Sequence, residues 1–148
     1  MKKRLLCACL LMVPAAAWAA PTCTVTASGV AFGTWSSAAP GTTGTVSVSC
    51  KGGLNLPYSA ALSTGTGTYA QRRMTSGARV LNYNLYTNAA RTIIWGNGTG
   101  GTAVVSGMVS APGSSTGTVV ETVYGRFAPS PAPATGSYSD TIVVTLTF

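Results

Sequence analysis

Few side chains in this sequence are equipped for chemistry. It has no histidine and two acidic residues, Glu121 and Asp140. Without an imidazole, neither a Ser-His-Asp nor a Cys-His arrangement can be assembled. Glycoside hydrolysis would have to use Glu121 and Asp140 as its carboxylate pair. Their segments can occupy adjacent strands, so spacing alone does not forbid it. Asp140 adjoins a turn, however, where it reads as an acceptor of backbone or arginine hydrogen bonds. No Gly-rich phosphate loop lies between a strand and a helix, so the glycines read as turns. We therefore read the chain as a non-enzyme that carries no cofactor.

The remaining reactive groups are cysteines and cations. Cys7 and Cys9 fall inside an N-terminal segment with the pattern of a secretory signal peptide. Lys2, Lys3 and Arg4 are its basic start, Leu5 to Val13 its apolar run, and Ala17-Trp18-Ala19 a small-x-small cleavage site. The apolar run is too short to span a bilayer. The expected organisation is a signal peptide over 1–19 and one β-domain over 20–148. Cys23 and Cys50 remain, and in an oxidising compartment two such cysteines pair. No C-x-x-C spacing points to redox exchange. Two cysteines without histidine do not complete a metal site.

Beyond residue 19 the cations are Lys51, Arg72, Arg73, Arg79, Arg91 and Arg126, six against two acids, a net charge of +4. Only Arg72 and Arg73 adjoin, which is too sparse for a nucleic-acid footprint. With Tyr69 and Trp95 they form the candidate ligand surface, suited to an acidic polysaccharide. Trp35, Tyr69, Tyr86 and Trp95 are candidates for an aromatic platform for sugars. Against both stand core packing for the rings and a solvated loop for the arginines.

The elements that must position these residues are strands. Cys23, Val25 and Ala27 alternate with Thr24 and Thr26; Val46, Val48 and Cys50 alternate with Thr45, Ser47 and Ser49. Each cysteine lies on the apolar face, which predicts a buried bridge between the first two strands. Further strands are expected over Tyr58–Ser63, Leu81–Tyr86, Thr92–Trp95, Thr102–Val109, Val119–Phe127 and Thr141–Phe148. In the last, Ile142, Val144, Leu146 and Phe148 share one face. Gly52-Gly53, Gly65 to Gly67, Asn97 to Gly101 and Gly113 to Gly117 are read as turns or loops. Ala128 to Gly136, with Pro129, Pro131 and Pro133, is an extended connector. Many short strands separated by Gly/Pro turns predict an all-β sandwich.

An ordered set of motifs carries a resemblance. Cys23-x-Val25 precedes Val30-Ala31-Phe32-Gly33-Thr34-Trp35 and Gly44-Thr45-Val46-Ser47-Val48-Ser49-Cys50. Arg72-Arg73-Met74, Leu81 to Tyr86, Arg91-Thr92, Trp95-Gly96, Val123 to Arg126 and Gly136 to Asp140 follow, before a Val/Thr-rich end. This resembles the spore coat protein U domain family, which includes subunits of archaic chaperone–usher pili. The resemblance implies an immunoglobulin-like β-sandwich, incomplete by one strand, with one disulfide. It implies an exported surface subunit whose groove, beside Ile142, Val144, Leu146 and Phe148, takes a strand from a periplasmic chaperone and then from a neighbouring subunit. The usher and other pilus or coat subunits are further implied partners, and adhesion and biofilm the implied roles. Only Ala20, Pro21 and Thr22 separate the expected cleavage site from Cys23, so the chain is expected to accept a strand without donating one. The alternative is a self-contained secreted binding module, for instance for polysaccharide, that does not polymerise.

Overall fold

Alternating β-branched and hydroxyl residues become six strands in the computed structural model, which describes residues 19–32, 41–127 and 136–148. They are β1 (Thr22–Ser28), β2 (Thr42–Leu62), β3 (Arg72–Ser76), β4 (Arg79–Tyr86), β5 (Val105–Phe127) and β6 (Val144–Thr147). All pairings are antiparallel, in the order β1-β2-β5-β4-β3, with β6 also on β2.

β2 and β5 are each longer than the alternation suggested. The runs Thr45–Cys50 and Tyr58–Ser63, expected as separate strands, are two halves of β2. Thr102–Val109 and Val119–Phe127 likewise merge into β5. The Gly52-Gly53 pair is a bulge, not a turn: register shifts fall between Lys51, Gly53 and Leu56, with Gly52 at φ 84° and Asn55 at φ 50°. A bulge bends a strand and raises its twist without ending it. The β2–β5 ribbon therefore folds over on itself. Val46 from one half of β2 shares a core cluster with Ala60 and Leu62 from the other.

The result is an immunoglobulin-like sandwich. One layer holds β1, the first half of β2, the second half of β5, β4 and β3. The other holds β6, the second half of β2 and the first half of β5. Leu81, Tyr83, Leu85, Val123, Phe127 and Trp95 fill the space between them. A smaller cluster of Val48, Cys50, Tyr58 and Val109 sits near the bend.

Two expectations need correction. Arg72 and Arg73 lie on a strand, β3, and not in a solvated loop. Inward Arg72 and Met74 do alternate with outward Arg73, but a charged residue at an inward position masks the pattern. Thr92–Trp95 forms only single bridges, Ile94 to Tyr86 and Trp95 to Ala103. The expected signal peptide, apart from Ala19, lies outside the described residues, as do Trp35 and the prolines of the connector.

Cys23 and Cys50 face each other in register and are bonded, with Cα atoms 4.1 Å apart; Cys50 is fully buried. The bridge closes a sequence separation of 27. Replacing both cysteines with alanine is expected to lower unfolding stability by about 3.5 kcal/mol on chain-entropy grounds. A urea titration reads this as a lower midpoint; an unchanged midpoint contradicts it.

Candidate functional site

The site begins with the outer edge of β2. β5 occupies the other edge along both halves of the strand, so β1 and β6 share this one, β1 on residues 45–51 and β6 on residues 59–62. Folding the ribbon brings these two short strands to opposite layers on the same side of the molecule. Among the described residues, neither has a strand on its other edge.

Which backbone groups are left over follows from the ladders. The 4.1 Å Cα separation of Cys23 and Cys50 marks a non-hydrogen-bonded pair, since such pairs sit about 4.5 Å apart and bonded ones about 5.5 Å. Cys23, Val25 and Ala27 therefore turn their N–H and C=O groups away from β2. On the other layer the Ser63 N–H donates to the Val143 carbonyl at 3.0 Å, and the Val143 N–H donates to Ser63 Oγ at 2.9 Å. Val143, Thr145 and Thr147 thus face β2, and the backbone groups of Ile142, Val144, Leu146 and Phe148 face outward. Two half-ladders border one gap.

That gap is a cavity of about 760 Å³. Ala27, Ser28, Val30 and Phe32 line one wall, Tyr138 to Ile142 and Val144 the other, and Val46, Leu62, Met74, Leu85 and Val123 the base. The base is apolar and belongs to the core. Two glycines shape its end: a Cβ on Gly125 would lie 2.7 Å from both Val30 and Phe32, and one on Gly44 2.8 Å from Val30. Phe32 can therefore tilt onto Phe127, with ring centroids 4.5 Å apart, and meet Tyr83 edge-on at 5.6 Å.

Polar groups clamp the rim. Asp140 Oδ1 accepts from Thr66 Oγ1 at 2.7 Å, from the Thr66 N–H at 3.1 Å and from the Thr141 N–H at 2.9 Å. Its Oδ2 accepts from the Tyr83 hydroxyl at 2.7 Å. Asp140 so fastens the approach to β6 onto β4 and the turn after β2. Ser139 adds a two-way backbone bridge to Thr75 of β3. The other acid, Glu121, accepts a short hydrogen bond from Tyr58. Each carboxylate is held by a different tyrosine.

The expected ligand surface does not form. Trp95 is fully buried and donates its ring N–H to the Ala60 carbonyl at 2.9 Å. Arg72 is fully buried as well. Its Nε and Nη2 donate to the Ser63 carbonyl at 3.1 and 2.8 Å, Nη2 also to the Trp95 carbonyl at 2.7 Å, and Nη1 to Asn84 Oδ1 at 2.6 Å. Burial pulls its pKa below the ordinary guanidinium value, while Tyr83, Tyr69 and Asp140 act the other way. Arg72 is a structural cation joining β2, β3, β4 and the Trp95 loop. A guanidinium suits that place because it keeps its charge and offers five fixed donors. Tyr69 is half-buried, with Arg72 5.6 Å from its ring centre; Arg73 alone of the four stays exposed. Asn97, the expected turn, accepts from the N–H and hydroxyl of Thr99. Of the predicted groove residues, Ile142 and Val144 pack on the main cluster and Leu146 on the smaller one, whereas Phe148 is 56% exposed. Sequence reasoning read Asp140 as an acceptor of backbone hydrogen bonds, as Thr66 and Thr141 show, but missed its tie to Tyr83 and the end wall of Val30, Phe32, Gly44 and Gly125. The Gly125 in Tyr124-Gly125-Arg126, a bare position amid a strand, was the available signal.

These features define a disulfide-stapled, immunoglobulin-like sandwich with an apolar slit between two unpaired strand edges. The chain matches the Spore Coat Protein U domain model over residues 10–145, and it belongs to that family. No curated protein matches it. Among solved structures, it is similar to a chain of the CsuC–CsuE chaperone–tip adhesion subunit pre-assembly complex from the archaic chaperone–usher Csu pili of Acinetobacter baumannii. The TM-score is 0.65 at 23% identity, over 87% of this chain and 40% of that one. At that identity the likeness is one of fold.

The two clamps carry a pH prediction. Burial and then the bonded carboxylate push both Tyr58 and Tyr83 well above the ordinary phenol value of 10.0. A raised folded-state pKa stabilises fully below the unfolded value and is lost as pH rises past it. The melting temperature should therefore fall as pH climbs above about 10. The Tyr58→Phe/Tyr83→Phe double variant should start lower at pH 8 and fall less steeply. Parallel curves would contradict the assignment.

Proposed function

We propose that this chain is a subunit of a chaperone–usher pilus, exported to the periplasm, that completes its fold by accepting a strand into the slit between β1 and β6. The observation that carries the reading is the slit itself: an apolar base under two facing rows of unpaired backbone groups. An added strand would satisfy both rows with main-chain hydrogen bonds and place alternate side chains on the base. Left empty, such edges invite aggregation, so a periplasmic chaperone would fill the slit first and a neighbouring subunit later. Membership of the spore coat protein U domain family and the fold shared with a chaperone-bound pilus chain both support this. Ile142, Val144 and Leu146 would border the incoming strand, and the usher would be the assembly partner. A self-contained secreted module is disfavoured, because it would have no use for an open edge.

Binding would be read by co-purification of the His-tagged chain with its periplasmic chaperone. Val144→Asp places a charge in the slit and Leu146→Asp one on the smaller cluster beneath the same edge; each should reduce chaperone recovery at least about tenfold, in line with an unpaired buried charge. Thr145→Asp, on the outward face of the same strand, should leave recovery unchanged. Equal recovery for all three variants would contradict strand acceptance at this edge.

A further inference from the structure

A second, smaller cavity shares Tyr83 with the slit. It measures about 190 Å³ and is lined by Gln71, Asn84, Tyr86, Ile94, Arg126 and Phe127, among others. It lies where β4 and β5 meet, with Asn84 opposite Arg126 and Tyr86 opposite Tyr124, and it reaches down to the core residues Tyr83 and Phe127. The exposed Arg126 guanidinium lies 5.4 Å from the Tyr86 ring centre, with Nη2 3.5 Å from the Tyr86 hydroxyl.

The charge arithmetic of the whole chain bears on this residue. Glu121 and Asp140 are its only acidic side chains, and each is committed to a tyrosine. The buried cation, Arg72, is satisfied by carbonyls and an amide. Arg91 is turned inward onto the Gly125 carbonyl. Arg126 thus presents a guanidinium that no side chain of the chain can neutralise. Arg73, on the next strand but one, is equally exposed. An exposed guanidinium of this kind is open to pairing with a ligand carboxylate.

We propose that the Tyr86–Arg126 cavity binds a carboxylate-bearing sugar residue of an acidic polysaccharide. The guanidinium fork matches a carboxylate in two parallel hydrogen bonds. The ring it stacks on holds it in place and offers an amphipathic face to a sugar. Gln71 adds an amide for hydroxyl groups, and Ile94 and Phe127 form apolar walls. The volume suits one sugar ring, so a longer polymer would run on across the face toward Arg73. The cavity is distinct from the slit, although Tyr83 borders both.

The test is titration of the exported chain, purified in the complex it forms in the periplasm, with a galacturonate hexasaccharide and with its carboxyl-reduced galactose counterpart. Binding should be confined to the acidic sugar, and amide shifts should centre on residues 71, 84, 86 and 126. Arg126→Gln should weaken it about tenfold or more, as expected for loss of a charge-assisted pair, while Arg79→Gln, exposed elsewhere, should not. The variants' melting temperatures, unchanged for such exposed positions, separate binding from folding. Equal binding of the neutral sugar, equal loss in Arg79→Gln, or shifts scattered over the cationic surface would overturn the proposal. Absence of any binding by the parent complex at millimolar sugar would overturn it as well.

Discussion

Everything in this molecule depends on the outer edge of β2. One strand serves both layers, because bulges near Gly53 and in the facing stretch of β5 let the ribbon bend and resume its pairing beyond the bend. That economy has a consequence. β1 and β6 must dock on the same edge at opposite ends, so after the bend their own free edges face each other across a gap. The disulfide holds β1 at its end of that edge. Asp140 and Ser139 hold the approach to β6 at the other. Both walls are fixed, and the space between them stays a slit.

The polar interior is built for the same purpose. A buried arginine is costly unless its donors are satisfied, and Arg72 meets three acceptors drawn from separate segments. Among the described residues no buried side-chain nitrogen or oxygen lacks a partner. Arg72 and Asn84 tie together the segments beside β3 and β4, and Asp140 fastens the rim of the slit. The chain's scarcity of charge fits this economy: hydroxyls cover the surface, and the few ions inside are structural.

Much of the scaffold was legible from period-two alternation. Cys23 and Cys50 lie on apolar faces, and their bridge follows from that pattern. Leu81, Tyr83 and Leu85 point inward as their spacing requires. What could not be read has a physical cause in each case. Gly52-Gly53 signals positive φ equally well for a turn and for a bulge, so β2 looked like two strands. An inward arginine hides β3, since residue type argues against burial until three acceptors are known. For Trp95, core packing stood beside a ligand platform and is what the structure shows; nothing local reveals that Ala60, thirty-five positions earlier, accepts its N–H. The slit is a property of which edge β1 and β6 share, and alternation within single strands carries no information about edges.

Amide hydrogen exchange, residue by residue, on the chain bound to the periplasmic chaperone proposed for it tests strand acceptance most directly. Ile142, Val144 and Leu146 should be protected in that complex and exchange rapidly when the chaperone is stripped away, while Val143 and Thr145, bonded to β2 throughout, should change little. Fast exchange at the three outward-facing amides within the intact complex, or slow exchange in its absence, would contradict an edge that is completed by another chain's backbone.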